Sequence, residues 1–104
     1  MNTIVEGATN ILLQGVVVDG DGNAIDISTS SNKYINIRHQ ATGAYAKIAA
    51  AFVTAGADGA LKATPAVTFW ATPGEVWWGM QYDLGGVTYK SVHDVVLVEP
   101  SLVP

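Results

Sequence analysis

The turn signals in the second half of the chain constrain its fold most. In AGADGALKATPAVTFWATPGEVWWGMQYDLGGVTYKSVHDVVLVEP, residues 55–100, Asp58-Gly59 marks a turn and ALKATP a short strand; AVTFWA is another short segment, and Pro73-Gly74 turns the chain into EVWWGMQYD. Gly85-Gly86 then separates WWGMQYDL from VTYKSV, the arrangement of a tight hairpin whose turn needs positive φ. HDVVLVEP supplies a last strand ended by Pro100. Turn signals at intervals of about eight to twelve residues between short strands predict an antiparallel β-sandwich or barrel of about seven strands.

The first half agrees where its pattern is clear. Residues 11–18, ILLQGVVV, are an apolar, β-branched run ending at Asp19-Gly20, which reads as a buried strand closed by a turn. Residues 33–39, KYINIRH, alternate: Ile35 and Ile37 point one way and Tyr34, Asn36 and Arg38 the other, as on a strand with one face on a core. Residues 43–56, GAYAKIAAAFVTAG, fit two patterns. Tyr45, Ile48, Ala49 and Phe52 fall at helical spacing, and alanine is the best helix former. As a strand, Tyr45, Lys47, Ala49, Ala51 and Val53 alternate against Ala46, Ile48, Ala50 and Phe52. Local propensity does not separate the two, and the succession of short strands that follows favours strand.

Composition narrows the function. Residues 1–104 are enough for one domain, with a core that takes about two thirds of the unfolded surface out of water. Only the two ends, residues 1–9 and 100–104, read as arms able to order on a neighbour. The chain is 49% hydrophobic and 13% charged, far from a disordered composition, yet no run reaches the roughly 18 apolar residues of a membrane span. MNTIVEGATN has neither a basic nor an apolar leader region, so secretion by the usual route is not expected. The net charge is −4, and the five basic residues (Lys33, Arg38, Lys47, Lys62, Lys90) are scattered in sequence, which argues against a nucleic-acid partner. Without cysteine there are no disulfides, thiolate zinc sites or cysteine nucleophiles.

Residues 19–28, DGDGNAIDIS, place Asp19, Asp21, Asn23 and Asp26 close together. A calcium loop of the EF-hand kind needs oxygen ligands at alternate positions, a glycine at the sharp turn after them and a bidentate glutamate at its end. Asp19, Asp21 and Asn23 fit the first requirement, but Ala24 stands in the glycine's place and Ser30 in the glutamate's, and neither flank reads as a helix. The four residues could hold calcium weakly; Asp-Gly and Gly-Asn are also what a hairpin loop demands, and turn chemistry is the favoured reading. His39 and His93 have no second ligand at metal spacing on the same strand face. Ser28, Ser30, Ser31 and Ser91 lack a nucleophile-elbow motif or a local base, so all of these are read as surface or edge polar residues. Glu75 and Asp83, on one extended strand, would lie about 26 Å apart, too far for a glycosidase pair. No residue is expected to be catalytic, and no cofactor is implied.

The aromatic residues are the remaining candidates. Trp77, Gly79, Gln81 and Asp83 share one strand face, and Trp78, Met80, Tyr82 and Leu84 the other, whose apolar continuity makes it the core face. Trp77 then faces outward, able to stack on a sugar or anchor a partner, or else packs under TPAVTFWATPGE.

The order of these pieces resembles the small immunoglobulin-like domains of tailed-bacteriophage virion proteins, notably the N-terminal domain of baseplate upper proteins and related short structural proteins. That pattern runs from a strand into FVTDGTDG, a short strand, a PG or AG turn, an aromatic strand ending in a glycine-rich hairpin, and a last strand. Here the corresponding pieces are Phe52 to Gly59, Pro73-Gly74, Trp77 to Gly86 and Val92 to Val98; DGDGNAIDI stands where the family carries a D-x-G-x-x-x-D-L turn. The resemblance spans residues 10–99 and departs at the alanine-rich residues 46–51. It implies an antiparallel immunoglobulin-like β-sandwich in a non-enzymatic structural protein of the virion, assembled in the host cytoplasm. Such a protein is a multicopy tail, baseplate or fibre-attachment adaptor whose partners are other tail, fibre or capsid subunits. The family's usual downstream module does not follow, which raises a stand-alone capsid decoration (cement) protein or connector as an alternative. A carbohydrate-binding module using Trp77 or Trp70 as its platform is the alternative from another class, with calcium at Asp19, Asp21, Asn23 and Asp26 as its possible companion.

Overall fold

The computed structural model describes residues 2–91 and 93–102. Among the described residues nine strands run in chain order: β1 Asn2–Val5, β2 Leu13–Val16, β3 Ser31–His39, β4 Tyr45–Ala49, β5 Ala51–Phe52, β6 Ala60–Ala63, β7 Gly74–Leu84, β8 Val87–Lys90 and β9 Asp94–Glu99. One 3₁₀ turn, Val67–Trp70, is the sole helical element among the described residues. The larger sheet has the order β1-β9-β7-β3-β4, with β8 on the far end of β7, and the smaller sheet has the order β2-β6-β5. Every pairing is antiparallel except that of β1 with β9. The fold is therefore all-β and sandwich-like, as the spacing of turn signals predicts. The strands outnumber the predicted seven or so, partly because the run from 43 onward is cut in two and the N-terminus contributes a strand of its own.

The core follows from alternation. Ile35 and Ile37 of β3, Val76, Trp78, Met80 and Tyr82 of β7, and Val96 and Val98 of β9 are buried on the inner face of the larger sheet. They meet Leu13, Leu61 and Ala63 of the smaller sheet and Val17, Ile27, Phe69 and Trp70 from the connections. Each Val, Leu, Ile, Phe or Met side chain among them, fully buried, stabilises the fold by roughly 1.5–3 kcal/mol. The Gly85-Gly86 turn joins β7 to β8 with both residues at positive φ, 60° and 80°, the conformation a two-residue hairpin needs. At Gly59 (φ 72°) an added Cβ would lie 2.8 Å from the carbonyl oxygens of both Val17 and Ile25, so only glycine fits.

Within residues 43–56 the regular structure is strand, Tyr45–Ala49 and Ala51–Phe52, not helix. Ala46, Ile48, Ala50 and Phe52 pack against the core, while Tyr45, Lys47, Ala49 and Ala51 are exposed. The run breaks at Ala50, whose N–H donates to the Lys33 carbonyl at 2.9 Å. There the chain leaves the larger sheet and enters the smaller one, β4 pairing with β3 and β5 with β6.

Two expectations need correction, and one short segment gains its conformation. The ILLQGVVV run is not a buried strand: β2 is an edge with β6 as its only partner among the described strands, and Leu12, Val16 and Val18 are about half exposed. AVTFWA holds the 3₁₀ turn, which tucks Phe69 and Trp70 inward. Residues 2–5 are no loose arm, because β1 adds to β9 in register from Asn2↔Val96 to Val5↔Glu99. At the other end the Ser101 N–H donates to Glu6 Oε1 at 2.9 Å, and Leu102 is fully exposed. Met1, Val92, Val103 and Pro104, which the arm and last-strand expectations include, lie outside the described residues.

Candidate functional site

The acidic stretch 19–28 is a turn whose carboxylates serve the backbone. Asp19 Oδ1 accepts the N–H groups of Asp21 (2.9 Å) and Asn23 (3.0 Å), and the main chain closes from Asp19 N–H to the Asn23 carbonyl at 2.8 Å. Gly22, at φ 84°, makes the bend, and Val18 bridges Ala24 across it. Asp26 Oδ1 accepts the Ser28 N–H at 2.9 Å. Hydrogen bonds from the side chain and backbone of Ser28 hold the Asp26 carboxyl below its ordinary value of 3.8. Among the described residues, no cluster of three or more His, Asp or Glu is placed to hold a metal ion.

The titratable candidates separate. His39 is buried, against the expectation of a surface or edge residue, because it shares strand parity with Ile35 and Ile37. Its Nε2 bonds to the Thr72 carbonyl at 2.8 Å, and its Nδ1 accepts the Ala41 and Thr42 amides at 3.2 and 3.4 Å. Glu75 and Asp83 sit at opposite ends of β7. The Asn32 amide (2.8 Å) and the Thr88 hydroxyl (2.7 Å) donate to Asp83. Those two bonds, with Lys47 nearby, lower its pKa from the ordinary 3.8. The Ser30 hydroxyl donates to the Ile27 carbonyl, and Ser91 Oγ accepts the Met80 N–H at 2.8 Å. Neither histidine bonds to a serine among the described residues.

The two tryptophans proposed as platforms part company. Trp70, the last residue of the 3₁₀ turn, is fully buried and presents no surface, so it is withdrawn as a platform. Trp77 faces outward and is 37% exposed. Its indole stacks on the His93 imidazole with ring centres 4.3 Å apart and planes 5° from parallel, and its Nε1–H donates to Glu75 Oε1 at 2.9 Å. Two contacts thus fix its orientation.

Register builds a site around Trp77. On the outer face of the larger sheet, Tyr45, Arg38, Trp77 and Val95 form one cross-strand row. The next row is Lys47, Asn36 and Gly79, and the one beyond it is Ala49, Tyr34, Gln81 and Lys90. Gly79 has no side chain, and the neighbouring strand is interrupted beside it, since β8 ends at Lys90 and β9 begins at Asp94. The result is a hollow of about 320 Å³ at the centre of the face, lined by Trp77, Asn36, Arg38, Tyr45, Lys90 and His93. Asn36 Nδ2 donates to Gln81 Oε1 at 3.1 Å, and its buried Oδ1 has no partner among the described residues. Lys47 lies over the Tyr34 ring, 4.4 Å from its centre.

A larger groove of about 680 Å³ opens on the other side of β7, between the free edge of β2 and β8. It is the seam between the sheets. The core side chains Trp78 and Met80 line it, and Gly15 is small because a Cβ there would lie 2.9 Å from Met80 Cε. The outer hollow is instead made by side chains that point to solvent, with aromatic, cationic and amide groups converging, and it is the better candidate site. Alternation alone makes the outward Trp77 legible; Arg38, Tyr45 and Asn36 join it only through cross-strand register, and His93 by stacking from the connection between β8 and β9, for which their sequence positions carry no signal. In comparison with known proteins, no family model matches the chain and no curated protein matches it.

Proposed function

We propose that the chain is a non-enzymatic structural protein of a bacteriophage virion, an adaptor in the tail, baseplate or fibre-attachment apparatus, built on an immunoglobulin-like sandwich. The strand order carries this reading. In immunoglobulin-like domains the third, sixth and seventh strands form one sheet, extended in variable-type domains, and the second, fourth and fifth belong to the other. Here β3, β7 and β9 with the extending β4 lie in one sheet, and β2, β5 and β6 lie in the other. Two strands depart from the constant-type arrangement: β1 joins β9 instead of β2, and β8, which forms the hairpin with β7 ahead of β9, is an additional strand. This arrangement supports the fold implied by the family resemblance, and with it the virion role. An outer sheet face carrying Trp77, Tyr45 and Arg38 has the composition of interface anchors, in which Trp, Tyr and Arg are enriched.

The test is quantitative mass spectrometry of gradient-purified particles of the phage that encodes the chain. An adaptor is present at a fixed, multicopy ratio to the other virion proteins; absence from particles, or a ratio that falls with each purification step, overturns the reading. A second reading, glycan binding, is favoured by the exposure of Trp77 and Tyr45 on one face. Under it, Trp77→Ala abolishes a glycan-array signal; a wild-type array without signal removes it.

A further inference from the structure

We propose that the hollow over Gly79 is the docking site for an acidic segment of a partner protein, which sets a carboxylate between Arg38 and Lys90 and an apolar side chain against Trp77. The proposal deepens the adaptor reading and rests on it for the class of occupant. Its starting point is a glycine without a steric reason. Gly79 sits in the central strand, where glycine weakens pairing and packs nothing. It does not have the positive φ of the turn glycines. A Cβ there would meet nothing closer than Ser91 Oγ at 3.5 Å, an ordinary contact. What the missing side chain provides is the space itself.

The surroundings are prepared to receive something. Beside Gly79 the regular ladder gives way to Ser91, which takes the Met80 amide on its hydroxyl (2.8 Å) and returns its own N–H to the Met80 carbonyl (2.9 Å). The backbone stays satisfied while the strand edge opens. Trp77 is held in place by His93 and Glu75 before any partner arrives, so little side-chain freedom remains to be lost on binding.

Charge selects the occupant. The chain is acidic overall, at −4, yet three of its five basic residues, Arg38, Lys47 and Lys90, lie on this one face. Lys47 is engaged with Tyr34, whereas Arg38 and Lys90 line the hollow and form no ion pair among the described residues. Of the carboxylates on or near this face, Glu75 is tied to the Trp77 indole, Asp83 takes the Asn32 amide and the Thr88 hydroxyl beside Lys47, and Asp94 Oδ1 accepts the Val95 N–H. A cationic rim around an aromatic wall complements a carboxylate next to an apolar group. A protein is favoured over a sugar by the two cations of the rim, and the His93 stack leaves at most one face of the Trp77 indole for a sugar ring.

The test is a two-dimensional NMR titration of the ¹⁵N-labelled full chain with acetyl-Gly-Glu-Leu-Gly-amide, its Gln counterpart, glucuronate and glucose. The acidic peptide is expected to shift the amides of Gly79, Asn36 and Gln81 and the Trp77 indole N–H at millimolar concentration. The Gln peptide should bind at least fivefold more weakly. Arg38→Gln should weaken the acidic peptide about tenfold, and Gly79→Val should remove binding. Gly79→Ala, which adds only a methyl group, replaces Gly79→Val if the larger side chain unfolds the strand. Equal binding of the two peptides, undiminished binding to Gly79→Val, or a preference for glucuronate would each overturn the proposal. So would shifts that depend on protein concentration without peptide, which would make a second copy the occupant. Failure here is separable from failure of the adaptor reading. If Gly79→Val still enters particles at the wild-type ratio, the hollow falls and the adaptor stands. Peptide binding by a chain absent from particles has the opposite meaning.

Discussion

Replacing His39 by phenylalanine tests how the site's supporting loops are held. His39 is 1% exposed at the end of β3. The main-chain amides of Ala41 and Thr42 can only donate, so Nδ1 accepts and Nε2 carries the proton given to the Thr72 carbonyl. One imidazole thus ties the β3–β4 turn to the loop before β7, the two segments that lead into Tyr45 and Trp77. Phenylalanine fills similar space and makes none of these bonds. Ala41, Thr42 and Thr72 are exposed residues, so water can take over their freed groups and the loss is the net worth of the bonds, not a full desolvation penalty. One short bond and two longer ones, at about 0.5–1.5 kcal/mol each, give about 2 kcal/mol. With a urea slope of about 1–3 kcal/mol per molar, the unfolding midpoint should fall by about 1 M. Urea titration followed by tryptophan fluorescence measures it. A His39→Phe midpoint equal to wild type would refute the reasoning and leave the loops held by the strand ladders alone.

Other positions give sharper signs. Gly59→Ala should destabilise by about 1–3 kcal/mol, since it forces a side chain into a left-handed backbone and onto two carbonyl oxygens 2.8 Å away; thermal unfolding measures it, and an unchanged melting temperature would contradict that crowding. Asp83 has a folded pKa below the ordinary 3.8, so its contribution is complete above that value and is lost as pH falls through the depressed one. Asp83→Asn should therefore flatten the acid limb of the stability profile below about pH 4 and leave its slope at neutral pH unchanged, which urea titrations across that range would show. Because Asp19 and Asp26 already serve backbone amides, the melting temperature should not respond to millimolar calcium or to chelator. A calcium-dependent rise would restore the metal reading, because a ligand that binds only the native state must stabilise it.

Local chemistry made the strands legible wherever one face is buried. Alternation in 33–39 and 74–84 gives the right inner faces, and the Gly85-Gly86 hairpin follows from backbone φ alone. In 43–56 the helical and strand periodicities coincide, and long-range pairing decides between them: β4 is captured by β3 and β5 by β6. The parallel pairing of β1 joins the two ends of the chain, and a four-residue NTIV carries no local sign of it. Trp70 was unreadable for another reason. Its burial depends on the 3₁₀ turn directing Phe69 and Trp70 into the core, and Thr-Phe-Trp has no periodicity that distinguishes a tucked turn from an exposed loop. His39 was readable: parity with Ile35 and Ile37 places it inward, a stronger signal than its polarity. Of the candidate site, only the outward Trp77 could be read, because Arg38, Asn36 and Tyr45 reach it through the register of β3 with β7 and β4.

The two strand glycines show how packing and function can be told apart at positions of the same residue type. Gly15, on β2, faces inward, and its absent side chain is filled by Met80, 2.9 Å from where a Cβ would stand. Alanine there must displace the flexible end of Met80, so Gly15→Ala should cost stability through crowding. Gly79, on the outer face of the central strand, is crowded by nothing, and alanine there has room at ordinary contact distance. Relative to glycine, alanine also restricts the unfolded chain, so Gly79→Ala should leave stability unchanged or raise it by about 0.5–1 kcal/mol. If the two substitutions carry these opposite signs in parallel urea titrations, Gly15 is explained by the core and Gly79 is not. The hollow would then be a feature the fold does not require. Destabilisation by Gly79→Ala would instead make that glycine a packing residue of the β7–β9 junction, and would remove the steric argument on which the docking site begins.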